Sequence, residues 1–200
     1  MKSFNSIRKY FIIVMVLVAI GVNIPLSAQA YVLIGNKLNG GVGNWYTGTY
    51  RYYWYDSSNS YASNINASIY KWNHTGSILI TKINFMSTSY KPASVSDFYK
   101  TTEPNTGANG YTLFYVGSST TPISPFSSNW DWCRIYLNTT YYDALSTNEL
   151  KQGVICHEFG HVMGLYENNS NPSSIMCQSA YGRSVTSPQL DDLQGINSMY

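Results

Sequence analysis

The sequence predicts an α+β domain, and three observations carry that prediction. Short runs dense in aromatic and β-branched residues recur between residues 44 and 137, as strands require. Among those runs a single stretch, 60–72, instead spaces Ile65, Ile69 and Trp72 at i, i+4 and i+7, the stripe of a helix with one apolar face. Beyond Asp143 the signals turn helical, so two late helices follow the strands and join the early one in a single unit.

The first 30 residues stand apart from this domain. Lys2, Arg8 and Lys9 precede the apolar run FIIVMVLVAIGV, and Ala28-Gln29-Ala30 offers small residues for cleavage, the pattern of a secretory signal peptide. An uncleaved anchor is the alternative reading, because residues 10–26 approach the length of a bilayer span. The expectation is therefore a signal peptide at 1–30 and a secreted, extracellular domain at 31–200 that no longer touches a membrane. Removing those three basic residues from 12 leaves 9 against 10 acidic ones, so the mature chain is nearly neutral. With 11% charged residues a nucleic-acid partner is not expected, and 44% hydrophobic residues suffice for one folded core. A monomer is the expected state.

Taken in order, residues 45–55 (WYTGTYRYYWY) suit a first strand, with their aromatics packing on a sheet. The helix at 60–72 is stopped by His74-Thr75-Gly76, and alternation in ILITKINFM, 78–86, suggests a second strand. Strands at 96–100, 111–116 and 133–137 follow, separated by loops such as TTEPNTGANG and GSSTTPISP. Ser146 and Glu149 form a capping box for a helix over 147–162. Ser187-Pro188 caps a final helix, with Asp191 and Asp192 near its positive end and Leu190, Leu193 and Ile196 turned inward. Cys133, Cys156 and Cys177 allow three single pairings and leave at least one thiol over.

Chemistry concentrates in the helix over 147–162. His157-Glu158-Phe159-Gly160-His161 stacks two imidazoles at i, i+4 on one face, a pair that holds zinc. Glu158 is about 100° further round, beside the metal and placed to act as general base toward water. A shuffled chain of this composition shows the pattern about once in a thousand. If the helix continued, Glu167 would point away from the metal, but Gly164 can turn the chain back.

These residues carry a resemblance. HEFGHVMGLYE is similar to the HExxHxxGxx(ligand) motif of the metzincin clan of zinc endopeptidases, and Ser174-Ile175-Met176 resembles their Met-turn. The flanks look most like the matrixin family: an early aromatic strand and Trp-ended helix, RIYLN before the zinc helix, and SPQLDDLQGI at the end. The resemblance implies a twisted, mostly parallel five-stranded sheet with an antiparallel edge strand, packed with an early helix, an active-site helix and a C-terminal helix. It implies zinc as cofactor, a protein or peptide substrate lying along the edge strand near 111–116, and Met176 as a floor under the metal. Structural calcium is implied too, but no EF-hand-like run or dense group of loop carboxylates offers it a place.

One departure stands out. The family's third ligand is usually His, sometimes Asp, whereas Glu167 occupies that position here; Cys177 and a water-completed site are the alternatives. A carboxylate ligand cancels one metal charge, so the resemblance with this change implies an activity optimum more alkaline than that of a three-His site. Tyr181 reads as packing, with a pocket or oxyanion role as alternative, and Cys156 as a small buried residue whose pairing with Cys177 the resemblance favours. The expected function is a secreted zinc endopeptidase with His157, His161 and Glu167 on the metal and Glu158 as base. The alternative is a secreted binding module on the same fold with a non-catalytic zinc site.

Overall fold

Five strands form one sheet in the order β2-β1-β3-β5-β4. They are β1 (Arg51–Tyr55), β2 (Phe85–Ser87), β3 (Ser94–Thr101), β4 (Gly110–Tyr115) and β5 (Trp132–Asn138). All pairings are parallel except β4 with β5, so the antiparallel strand is an edge strand. The helices are α1 (Ala62–Asn73), α2 (Thr139–Tyr142), α3 (Asn148–Val162) and α4 (Leu190–Met199). This computed structural model describes residues 31–103 and 107–200, and the expected signal peptide lies outside the described residues. Among the described residues no helix is long and apolar enough to cross a membrane.

The sheet buries one face in the manner its sequence dictates. In β5, Cys133, Ile135 and Leu137 are fully buried while Trp132, Arg134 and Tyr136 between them are half-exposed, the period of two that a pleated strand imposes. Against the buried face lies α3, whose residues from Gly153 to Gly160 are all buried, as befits a helix enclosed on every side. Phe159 meets Phe85 edge-on at 4.8 Å and stacks parallel to Phe98 at 6.3 Å. The α1 helix covers α3 with Ile65, Ser68, Ile69 and Trp72. Trp72 donates its indole N–H to the Cys156 carbonyl at 3.1 Å, so a large apolar side chain also fixes the register of the two helices. Each of these buried apolar side chains contributes about 1.5–3 kcal/mol.

Several local expectations need correction. Residues 45–50 form no strand: Trp45, Tyr46 and Tyr50 are exposed, Thr49 makes only an isolated bridge with Asn44, and the sheet begins at Arg51. The alternation at 78–86 yields a strand only at its end, since Ile78 and Ile80 face solvent while Ile83 and Phe85 are buried. The cap of α3 is Thr147, whose hydroxyl accepts from Leu150 N at 3.2 Å, one residue beyond the predicted Ser146. The last helix is capped by Gln189 and Asp192, and Leu190 is exposed; Leu193 and Ile196 do enter the core. The favoured Cys156–Cys177 bond is not formed. All three cysteines are free, and Cys156 Sγ instead donates to the Ser68 carbonyl at 3.7 Å. The short α2 has no counterpart among the sequence expectations, because its four residues carry no periodic signal; the Asn138 side chain caps it by accepting from Thr140 N.

Candidate metal centre

His157 and His161 lie one turn apart on α3, their rings 4.8 Å apart and nearly perpendicular. The helix stops just beyond them because Gly164 adopts φ +105°, a conformation L side chains avoid. The following stretch is pinned by the residues at 31–38: Ile34 N donates to Gly164 O, and Tyr166 N to Val32 O. That pairing carries Glu167 back over the helix. Its Oε2 comes within 3.4 Å of His157 Nε2 and its Oε1 within 3.4 Å of His161 Nε2. One donor atom from each of the three residues lies within 4.8 Å of the others. Of the sequence-predicted ligands, then, the fold brings His157, His161 and Glu167 together, and this is the metal-capable group among the described residues.

The hydrogen bonds around the rings decide what that convergence is for. His157 Nδ1 donates to the Ile175 carbonyl and His161 Nδ1 to the Leu165 carbonyl, both at 2.9 Å. A carbonyl only accepts, so each Nδ1 carries the proton and each Nε2 of a neutral ring presents a lone pair to Glu167. The Glu167 Oε2 atom is itself buried without a hydrogen-bond partner. Lone pairs facing one another in a half-buried site need a cation between them, and two imidazoles with a carboxylate match the donor preferences of zinc. Protons are the other way to relieve the site. With the rings protonated in place of a metal, burial still pushes the Glu167 carboxyl up, but hydrogen bonds and charge from His157 and His161 outweigh it and bring it down to about 2. Burial lowers His161, and Glu167 with Glu158 more than reverses this, leaving it above its ordinary value.

Glu158 is almost fully buried and held from the edge strand. Thr112 on β4 donates its hydroxyl to Glu158 Oε2 at 2.9 Å and lies 3.1 Å from the Glu158 carbonyl. The glycine at 110 leaves the room: a Cβ there would sit 3.3 Å from Glu158 Cγ and 3.0 Å from the Tyr136 carbonyl. Beneath α3 lies Met176, buried, so close to Gly160 that a Cβ on Gly160 would run into its sulfur. The Met176 turn is tied to α4 through Asp192, which accepts from Ser174 Oγ at 2.5 Å and Ile175 N at 3.0 Å.

Other sequence candidates fall outside the group. Cys177 Sγ donates to the carbonyls of Gln178 and Tyr181. Tyr181 is 60% exposed and so does not pack as predicted. His74 stacks on Tyr70 at the end of α1. Three contributors escape a reading of the sequence: Thr112, Asp192 in its anchoring role, and Arg183, which borders the cavity beside His157 and Glu158. Only Asp192 leaves a sequence signal, an acid in the first turn of a helix.

A mostly parallel sheet backed by a helix that bears HExxH, with a returning third donor, defines a metallopeptidase domain of metzincin type. A family model for matrixin matches residues 55–200, and the chain belongs to the matrixin family. Its fold is also similar to a chain in the GM1 bound form of the ECX AB5 holotoxin, at 16% identity, with 86% of this chain and 88% of that chain covered and a TM-score of 0.50. No curated protein matches the chain.

Proposed function

We propose that residues 31–200 act as a secreted zinc-dependent endopeptidase, exported by a signal peptide at 1–30. His157, His161 and Glu167 hold the metal. Zinc bound there supplies Lewis-acid polarisation of the scissile carbonyl and acidifies the attacking water. Glu158 takes the proton from that water and returns it to the departing amine, and Thr112 holds the carboxylate in place for both transfers. The edge strand β4 offers its backbone to an extended peptide, since among the described residues Ile123 alone bridges that edge, at Phe114. The observation that carries the reading is the convergence of three lone-pair donors, both ring tautomers fixed by carbonyls, beside a buried glutamate that is not among them.

The test is zinc content and cleavage of casein or gelatin by the 31–200 protein, in parallel with Glu158→Ala. One zinc per chain, with cleavage lost and metal kept in the variant, supports both halves of the proposal. One zinc without cleavage of any peptide library would favour the binding-module alternative.

A further inference from the structure

Two cavities open beside His157 and Glu158, and they differ in chemistry. One, about 330 Å³, is lined by the converging His157, His161 and Glu167 and by a group of apolar side chains that includes Ile34, Phe126 and Tyr166, with no Lys or Arg among the described residues. The other, about 300 Å³, runs between α3 and the stretch after the Met176 turn, where Asn109, Gln178, Ser179 and Arg183 form a polar wall. Arg183 is the single Lys or Arg in either wall among the described residues.

The guanidinium carries five N–H donors in a planar fork. Its Nη1 reaches the Ile175 carbonyl at 3.5 Å and its Nη2 the Ser179 hydroxyl at 3.1 Å. Both acceptors are neutral, and among the described residues no Asp or Glu oxygen lies within 4.0 Å of it. Burial lowers the Arg183 pKa, a cost that Glu158 and Glu167 offset only from a distance. Half-buried charges are normally paired, because desolvation without a partner is expensive. Here the missing partner has a place to arrive: a recess that shares His157 and Glu158 with the reacting centre. The Ile175 carbonyl that receives Arg183 also receives His157 Nδ1, so the guanidinium is indexed to the same turn that orients the ring.

We infer that Arg183 is a specificity-determining residue and that this recess takes the acidic side chain of a substrate residue next to the cleaved bond. A carboxylate suits the free edges of the fork, which bind it through paired hydrogen bonds, and Ser179 beside it supplies a further polar contact. The inference rests on the endopeptidase reading, and its test separates the two.

Peptides with both ends blocked, differing only in Glu, Gln or Leu on either side of one cleavable bond, are offered to the zinc-loaded wild-type protein and to Arg183→Gln and Arg183→Met. Mass spectrometry reads the cut position. The same peptides are titrated by fluorescence anisotropy into zinc-loaded Glu158→Gln, with and without Arg183→Gln. The expected result is a kcat/KM for the Glu peptide about tenfold above that for the Gln peptide, lost in both Arg183 variants. Equal cleavage of Glu and Gln peptides by the wild-type protein, which needs no variant to fold, overturns the inference. So does a preference for Glu that survives both substitutions. If nothing is cut, the binding titration decides: tighter binding of the Glu peptide that depends on Arg183 upholds the recess while the endopeptidase reading falls, and equal binding removes the recess.

Discussion

Substituting Asp192 tests whether α4 holds the turn beneath the metal centre. The carboxylate accepts from Ser174 Oγ on one oxygen and from Ile175 N and Gln189 N on the other, at 2.5, 3.0 and 2.8 Å. Asparagine retains an acceptor for the two amides and can meet the Ser174 hydroxyl with its NH₂, whereas alanine leaves the amides stranded. A buried donor without an acceptor costs about 1–3 kcal/mol, so Asp192→Ala should be about 2–5 kcal/mol less stable than Asp192→Asn. For a domain of this size that gap is about 5–15 °C in Tm.

The wild-type protein adds a pH dependence to this comparison. Burial, helped by Asp191, raises the Asp192 carboxyl from 3.8 to about 6 against the pull of its hydrogen bonds. The native state thus binds the proton more tightly than the unfolded chain. Its contribution to stability is fully present below pH 3.8, is lost as pH rises through about 6, and amounts to about 3 kcal/mol. Guanidinium unfolding at pH 5 and pH 8 reads both effects. The difference between wild type and Asp192→Asn should shift in favour of the variant at pH 8, by about half of that amount, since part of the contribution is already lost at pH 5. Equal stability of the Ala and Asn variants, or a pH-independent difference between Asn and wild type, would refute the reasoning.

Three further outcomes are expected. Thr112→Val should keep zinc and lower kcat about tenfold by freeing Glu158, and Thr112→Ser should restore it, as steady-state kinetics and metal analysis will read. In chelator-treated protein, Glu167 with its depressed pKa contributes stability above pH 4.5 that is lost as pH falls through about 2, and melts of Glu167→Gln should lack that loss; in the loaded protein Glu167→His should move the activity optimum to lower pH. Ellman's reagent should find no reactive thiol in the native protein and three after denaturation, since Cys133, Cys156 and Cys177 are all free and buried, the Cys156 thiol being pushed up to about 12.

Those features of the centre that sit in one short segment are legible directly. Two imidazoles at i, i+4 on a helix share a face whatever the rest of the chain does, and Gly164 with its positive φ is the residue able to turn Glu167 back. What the sequence does not convey is distance across the fold. Thr112 reaches Glu158 because β4 pairs with β5 in a register that turns its hydroxyl to the helix side, 46 positions away along the chain. Arg183 borders the recess because the stretch after Met176 returns along α3, which no local pattern encodes. Elsewhere a local pattern points the wrong way: Ile78 and Ile80 alternate like strand residues yet face water, since alternation describes a strand only where a partner edge waits. Adjacent hydroxyls at 146 and 147 offer two caps, and the first helical turn selects the second.

The Ile175 carbonyl has a consequence for the order of events during synthesis. It fixes the protonated nitrogen of His157, and its own amide is fixed by Asp192. A chain emerging from the ribosome therefore completes HExxH well before that ring is oriented, and the turn that orients it is anchored only when residue 192 has been made and α4 has docked. Until then the motif is spelled out in the chain but the orientation of its first ring is not yet set.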